Sequence, residues 1–326
     1  MKKKAIFLVL IIIIGISCRD KDRSSLLPNV TGKSGEVVLV IDNELWSSKV
    51  GDEFKKYLAS DYPGLPQPEP LFDLVQIPYQ AFSNIFKTHR NLLIVRVSNE
   101  FKEARMILQK DVYASPQLVI NILAPNNEVL EKLISEKGDL IVDRLLKMET
   151  TRYEKSYFKY KEKKVSEQIA KKFGIKLDFP IGYSVDLDTT DFVWIANDSP
   201  TMSQGVLIFS YKKPDVQLTT PYLIAKRNEF TKRFVSGANA GSYMTVEPEM
   251  EPFRREIEVN GLKVVELRSL WRVEGDFMGG PFVTFIIQDT KNDRIIHLDG
   301  FVYAPQFDKR GYVRQLEAIL SSVKFI

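Results

Sequence analysis

Apolar positions in this chain fall into short blocks with two different periods. From Glu36 the run EVVLVID is continuous and β-branched, which predicts a strand buried on both faces. VGDEFKKYLAS follows with apolar Val50, Phe54, Tyr57 and Leu58 at helical spacing. LFDLVQIP, NLLIVRVS and QLVINILAP read as further strands, with a short helix around residues 80–86, and ARMILQK fits a strand or a helix. Between the first helix and the second strand lies PGLPQPEP, whose prolines fix φ and make the loop stiff.

From Asn126 the period becomes helical, with Val129, Leu130, Leu133 and Ile134 on one face. Gly138 is a candidate interruption, and Ile141, Leu145 and Met148 resume the stripe. Tyr153, Tyr157 and Tyr160 then share a helical face, which predicts a connecting helix over residues 149–172 whose tyrosines rest on a lobe. GYSVDLD, DFVWIAND and QGVLIFSYKK read as strands, and PYLIAKRNEFTKRFVSG as a helix with Pro221 in its first turn. REIEVNGLKVVELRSLWRVEG is a hairpin turning at Asn260-Gly261, and FVTFIIQDTKNDRIIHLDGFVYAP is a second. GANAG and MGGPF are expected to be turns, and YVRQLEAILSSV a final helix. The fold class is therefore α+β. An N-terminal α/β lobe (35–148) is joined by the connecting helix to a C-terminal lobe (173–326), an antiparallel sheet covered by helices.

The beginning of the chain changes the picture. Lys2, Lys3 and Lys4 precede an apolar run from Ala5 to Ile14 that is shorter than the about 20 residues a membrane span needs. Gly15, Ile16 and Ser17 lead to Cys18, the only cysteine. This resembles a bacterial lipoprotein signal (residues 1–17), with small Ser17 before the cysteine and Gly15 where the pattern prefers leucine. The resemblance implies that Cys18 is acylated, which anchors the protein and leaves no thiol for catalysis, metal binding or a disulfide. Residues 18–34 read as a flexible tether with a reach of roughly 20–25 Å.

The formal charge of +4 shrinks once the signal is removed, because three lysines go with it and 43 basic residues face 42 acidic ones. A near-neutral body excludes a nucleic-acid partner, which needs a basic face.

Beyond the anchor, GEVVLVIDNELW, LPQPEPLFDLVQIP, HRNLLIV, YASPQLVINILAP and FVYAPQFDKRGYVRQLEAILSSVKF resemble a family of Bacteroidota lipoproteins classed as a domain of unknown function. That likeness spans nearly the whole mature chain and carries no activity with it. FGIKLDFPIGYSVD and LEAILSSVKF also look like the PsbP/Mog1-type α/β/α sandwich.

Candidate chemistry is sparse. The two histidines, His89 and His297, are far apart, and RIIHLDG suggests an edge or surface place for His297. No zinc-protease, nucleophile-elbow or phosphate-loop motif occurs. The acidic run DLDTTD lacks the glycine turn and late glutamate of a calcium loop, and the glutamates of VEPEMEP alternate with Pro248 and Pro252, which suits an extended edge. Trp194 and Trp271, within apolar strands, are expected in the core. Trp46, just past the first strand, and Gln67 and Glu69 on the stiff loop are the candidate ligand or partner contacts, since crevices form beyond strand ends. These observations imply no catalytic residue, metal or cofactor. They point to a lipid-anchored cell-envelope protein acting as a binding or assembly subunit, with the membrane and an envelope protein complex as partners. An envelope hydrolase is the alternative. The lipoprotein resemblance implies surface export for an acidic run after the cysteine and inner-membrane retention for an aspartate there. RDKDR lacks the first and Arg19 departs from the second, so the expected location is the outer membrane facing the periplasm, with the cell surface as the other possibility.

Overall fold

The computed structural model describes residues 26–326. The expected signal, Cys18 and the first part of the tether lie outside the described residues. The tether, expected to run free to residue 34, is instead attached from Pro28 onward. Ser115 N–H donates to the Pro28 carbonyl at 2.9 Å, Thr31 N–H to Thr88 at 2.9 Å, and Arg90 N–H to Thr31 at 3.1 Å. An extended backbone beside strand ends finds partners for its own polar groups. Gly32 (φ +88) lies against the His89 ring, 2.1 Å from where a Cβ would be, so only glycine fits.

The first lobe contains β1 (Glu36–Val40), α1 (Asn43–Trp46), α2 (Lys49–Leu58), β2 (Asp73–Ile77), α3 (Asn84–Lys87), β3 (Asn91–Val97), β4 (Arg105–Lys110), β5 (Leu118–Ala124) and α4 (Asn127–Lys159). Its sheet has the order β2-β1-β3-β5-β4, parallel except for β4, so ARMILQK is an antiparallel edge strand. Both faces are covered, which explains the unbroken apolar strand pattern. Val37, Leu39 and Ile41 meet α2 and α4, while Val38 and Val40 face Phe82, Phe86 and Tyr113.

Asn126 caps α4 by accepting from Val129 N–H at 3.0 Å. The helix passes through Gly138 without a break. A Cβ there would sit 2.4 Å from the Tyr57 ring, so the glycine admits α2 rather than ending α4. The single helix expected over 149–172 is two, because α4 stops at Lys159 and α5 (Lys163–Phe173) starts after a short turn. Tyr153 and Tyr157 keep their shared stripe, with ring centroids 6.0 Å apart, but Tyr160 lies beyond the helix end and is exposed.

The second lobe adds β6 (Ile175–Lys176), β7 (Ser184–Asp188), β8 (Phe192–Ser199), β9 (Met202–Lys212), α6 (Thr220–Phe234), β10 (Tyr243–Val246), β11 (Phe253–Val259), β12 (Leu262–Glu274), β13 (Gly279–Asp289), β14 (Arg294–Tyr303), α7 (Arg310–Ser321) and β15 (Lys324–Phe325). Eight strands form one antiparallel sheet, β10-β12-β13-β14-β9-β8-β7, with β11 also paired to β12; β6 and β15 form a small ribbon. One face is covered by α5 and α7 through Ile169, Phe173, Leu316 and Ile319, the other by α6 through Leu223 and Phe230. The α+β reading of both lobes therefore holds, and no strand is shared between the two large sheets.

Two local expectations change. MGGPF is not a turn, since Gly279 through Phe282 already lie in β13 opposite β12. A Cβ on Gly280 would come within 2.1 Å of the Val302 carbonyl, so glycine marks a close backbone approach. His297 is not at an edge: β14 runs between β13 and β9 under α6, and the residue is 0% exposed. Its ring stacks on Phe209 at 4.6 Å, and its Nε2 lies 3.1 Å from the Tyr211 hydroxyl. Nearby, Arg227 and Asp299 form a fully buried bidentate pair at 2.7 and 3.0 Å. Trp271 is buried, with its indole N–H on the Val302 carbonyl at 3.2 Å, and Trp194 is partly buried against Phe301.

Candidate functional site

The stiff loop after α2 crosses from the first lobe to the second. It is folded back on itself, with Tyr62 N–H on the Glu69 carbonyl at 2.8 Å and Leu71 N–H on Ser60 at 2.7 Å. Tyr62 and Leu65 are buried in the core of the second lobe. Glu69 spans the start of α7: its Oε1 accepts from Lys309 N–H at 2.7 Å and its Oε2 from Arg310 N–H at 2.9 Å. A carboxylate satisfies the free amides there and complements the helix dipole. Gln67 accepts from Lys309 Nζ at 3.2 Å, and Arg310 holds Asp73 through two bonds of 3.2 and 2.6 Å. Gln67 and Glu69 thus meet at the seam between the lobes, each with a partner inside the chain. Trp46 is elsewhere. It is half-buried on the first lobe under Lys55, whose Nζ lies 4.7 Å from the ring centroid.

Beside this latch the lobes enclose a cavity of about 610 Å³, within the size range of small-ligand sites. Its walls come from α4, the 61–71 loop, β11 to β13 and α7. Val142, Leu146, Phe253, Ile257 and Phe285 supply apolar surface. The floor is a charged network. Glu266 accepts from Arg255 Nε at 2.9 Å and from Arg268 Nε, and Arg268 also pairs with Glu317. The Tyr62 hydroxyl donates to Glu317 at 2.6 Å. Arg314 lies against the rings of Phe72 (4.9 Å) and Tyr62 (5.5 Å) and donates to the Leu71 carbonyl.

Burial alone would push the Glu266 carboxyl up, but Arg268 and Arg255 outweigh it and hold the group below the usual carboxylate range. Burial pushes the Tyr62 hydroxyl up, keeping it a protonated donor. Burial also raises Glu154 on the α4 wall. Arg268 Nη1 and Arg314 Nε and Nη1 are buried with no hydrogen-bond partner among the described residues. At the rim, Asp61, Glu154 and Glu258 have no ion-pair partner within 4 Å among the described residues. The cavity can therefore hold a part-apolar group and favours positive charge at its mouth.

Neither histidine lines this cavity. His89 sits at the base of the first lobe, 3.0 Å from a Glu36 carboxyl oxygen, with burial holding its pKa below the usual value. Among the described residues no cluster of three His, Cys, Asp or Glu side chains is arranged to hold a metal ion. The cavity residues Tyr62, Glu266, Arg268, Arg314 and Glu317 were not apparent as a site from the sequence. One signal was present: in VVELRSLW, Glu266 and Arg268 occupy the same alternating face as buried Val264. Charge on a core-facing row needs partners.

Two families of unknown function cover the chain between them. Residues 30–158 match the family model described as a domain of unknown function, DUF8532, and residues 162–322 match another, DUF4837. The break between the matched segments coincides with the turn between α4 and α5. No curated protein matches. Among solved structures, the Ran-binding protein Mog1p of Saccharomyces cerevisiae is similar to 47% of this chain and 90% of its own, at 8% identity and a TM-score of 0.33.

Proposed function

We propose that this is a lipid-anchored envelope protein that binds a partner in the cleft between its lobes, and that the binding is not catalytic. The observation that carries the reading is the roughly 610 Å³ cavity, whose walls are drawn from both lobes. The anchor rests on Cys18 after its basic and apolar leader. With the body facing the periplasm from the outer membrane, the partner would be another envelope component.

The cleft's deeper carboxylates support binding over hydrolysis. Glu266 and Glu317 are neutralised by arginines, and Glu149 is held low by Arg152 and Arg90 against the opposing effect of burial. Glu154 is the residue on which a hydrolase reading would rest, since burial raises its carboxyl above the usual value. Loss of a measurable turnover in Glu154→Gln would favour the hydrolase.

A photo-crosslinking side chain placed at Leu146 or Phe253 in native envelopes tests the cleft. Discrete crosslinked species are expected from these positions and not from Ile107 on the far edge of the first lobe. Equal crosslinking from all three would refute the cleft. Separately, Cys18→Ala should abolish lipid labelling and release the protein from membranes; retention through an alkaline wash would refute the anchor.

A further inference from the structure

We infer that the cleft takes an extended polypeptide segment with alternating apolar and basic side chains, which adds as a strand to the free edge of β11. This rests on the cleft reading above and specifies its occupant.

The argument begins with the backbone. Both β10 and β11 pair with the same side of β12, one after the other, so β11 has no strand on its outer side. Asn260 and Gly261 have φ of 51° and 81°, the two positive values of a type I′ hairpin turn. In such a turn the flanking residues, Val259 and Leu262, form a hydrogen-bonded pair. Counting back by twos, Ile257, Arg255 and Phe253 also bond to β12. The N–H and C=O groups of Arg254, Glu256 and Glu258 therefore point outward, and none of them has a backbone partner outside the strand ladder among the described residues.

Such edges invite strand addition unless something blocks it. At the opposite end of this sheet, β7 carries a register shift between Val185 and Leu187, which disrupts its edge. β11 keeps unbroken register over all seven residues. Its length, about 23 Å at the usual rise, matches a segment of some seven residues.

Side chains then define the occupant. Phe253, Arg255, Ile257 and Val259 face the cavity, so a strand added beside them would extend the sheet beneath α4. Val142, Leu146 and Thr150, one turn apart on α4, offer the surface on which alternate side chains of that strand would rest. Asp61, Glu154 and Glu258 have no ion-pair partner within 4 Å among the described residues; Lys324 and Lys147 act on Glu154 from further away and Arg255 is held by Glu266, so these carboxylates complement lysine or arginine in the incoming segment.

A labelled peptide of alternating valine and lysine, titrated against the full chain by fluorescence anisotropy, provides the test. It should bind about tenfold or more tightly than the valine–glutamate peptide, and methylating its alternate backbone nitrogens should cost a similar factor. Glu256→Pro removes one outward N–H without touching the bonds to β12, and should weaken binding while leaving the melting temperature near that of the parent. The methylated peptide decides the matter even if that variant fails to fold. Equal binding of the two charge patterns, or of methylated and plain peptides, overturns the inference. A dimer that Glu256→Pro converts to monomer, with no peptide bound, assigns the edge to a second copy and also overturns it. If crosslinking at Leu146 succeeds while the peptide fails, strand addition falls and the binding cleft stands.

Discussion

His297 should make the second lobe acid-sensitive. Burial, with a further contribution from Arg227, lowers its pKa from 6.5 to about 3. The folded protein therefore keeps the ring neutral where the unfolded chain takes up a proton. Because the folded value is the depressed one, its stability contribution is fully present above pH 6.5 and is lost progressively as pH falls toward 3. Each unit below 6.5 costs about 1.4 kcal/mol, so at pH 5 the loss from this group is about 2 kcal/mol. His297→Gln removes the titration. The variant loses the ring stacked on Phe209 and should be about 1–3 kcal/mol less stable at neutral pH. Its deficit against wild type should then shrink by about 2 kcal/mol on moving from pH 7.5 to 5. Urea unfolding followed by fluorescence, in a Trp46→Phe background so that only Trp194 and Trp271 report, reads this lobe. Carboxylates common to both proteins cancel in the comparison. A deficit that is the same at the two pH values would refute the claim that the histidine is buried and neutral.

Other consequences test the seam and the core. Glu69→Ala should cost about 1–2 kcal/mol by exposing two amides of α7, and should speed proteolysis of the 61–71 loop. Gly138→Leu should cost about 1–3 kcal/mol by forcing Tyr57 off α4, and a double-mutant cycle with Tyr57→Ala should recover most of it. Asp299→Asn leaves Arg227 buried without its counter-charge and should cost about 3–5 kcal/mol, measured by urea titration.

Much of the architecture was legible because local period and burial agree. EVVLVID reads as a two-sided strand because helices cover one face of its sheet and aromatic side chains the other. Asn260-Gly261 announced its hairpin because positive φ at both positions favours that pair. The misreadings share a cause: a local rule was overridden by a neighbour distant in sequence. Gly138 has the look of a helix breaker until Tyr57 is placed over it, and MGGPF resembles a turn until Val302 fills the space beside Gly280. His297 alternates like an edge residue, and only the order of strands around β14 places it in the centre.

The candidate site shows the same limit more sharply. Stiffness in PGLPQPEP was readable, and so was the suggestion that polar groups on a rigid loop meet something. What they meet could not be read, because the amides that claim Glu69 lie 240 and 241 residues further along the chain. A carboxylate held on a proline-stiffened loop loses little entropy on ordering, which suits a permanent internal cap as well as it suits a ligand contact. The distinction depends on whether its acceptors are already satisfied. Both Glu69 oxygens are. The outward backbone of β11 and the unpartnered nitrogens of Arg268 and Arg314 are not. Unspent hydrogen-bonding capacity beside a cavity is a physical criterion for a binding surface, and it moves the site from the loop to the cleft that the loop holds together.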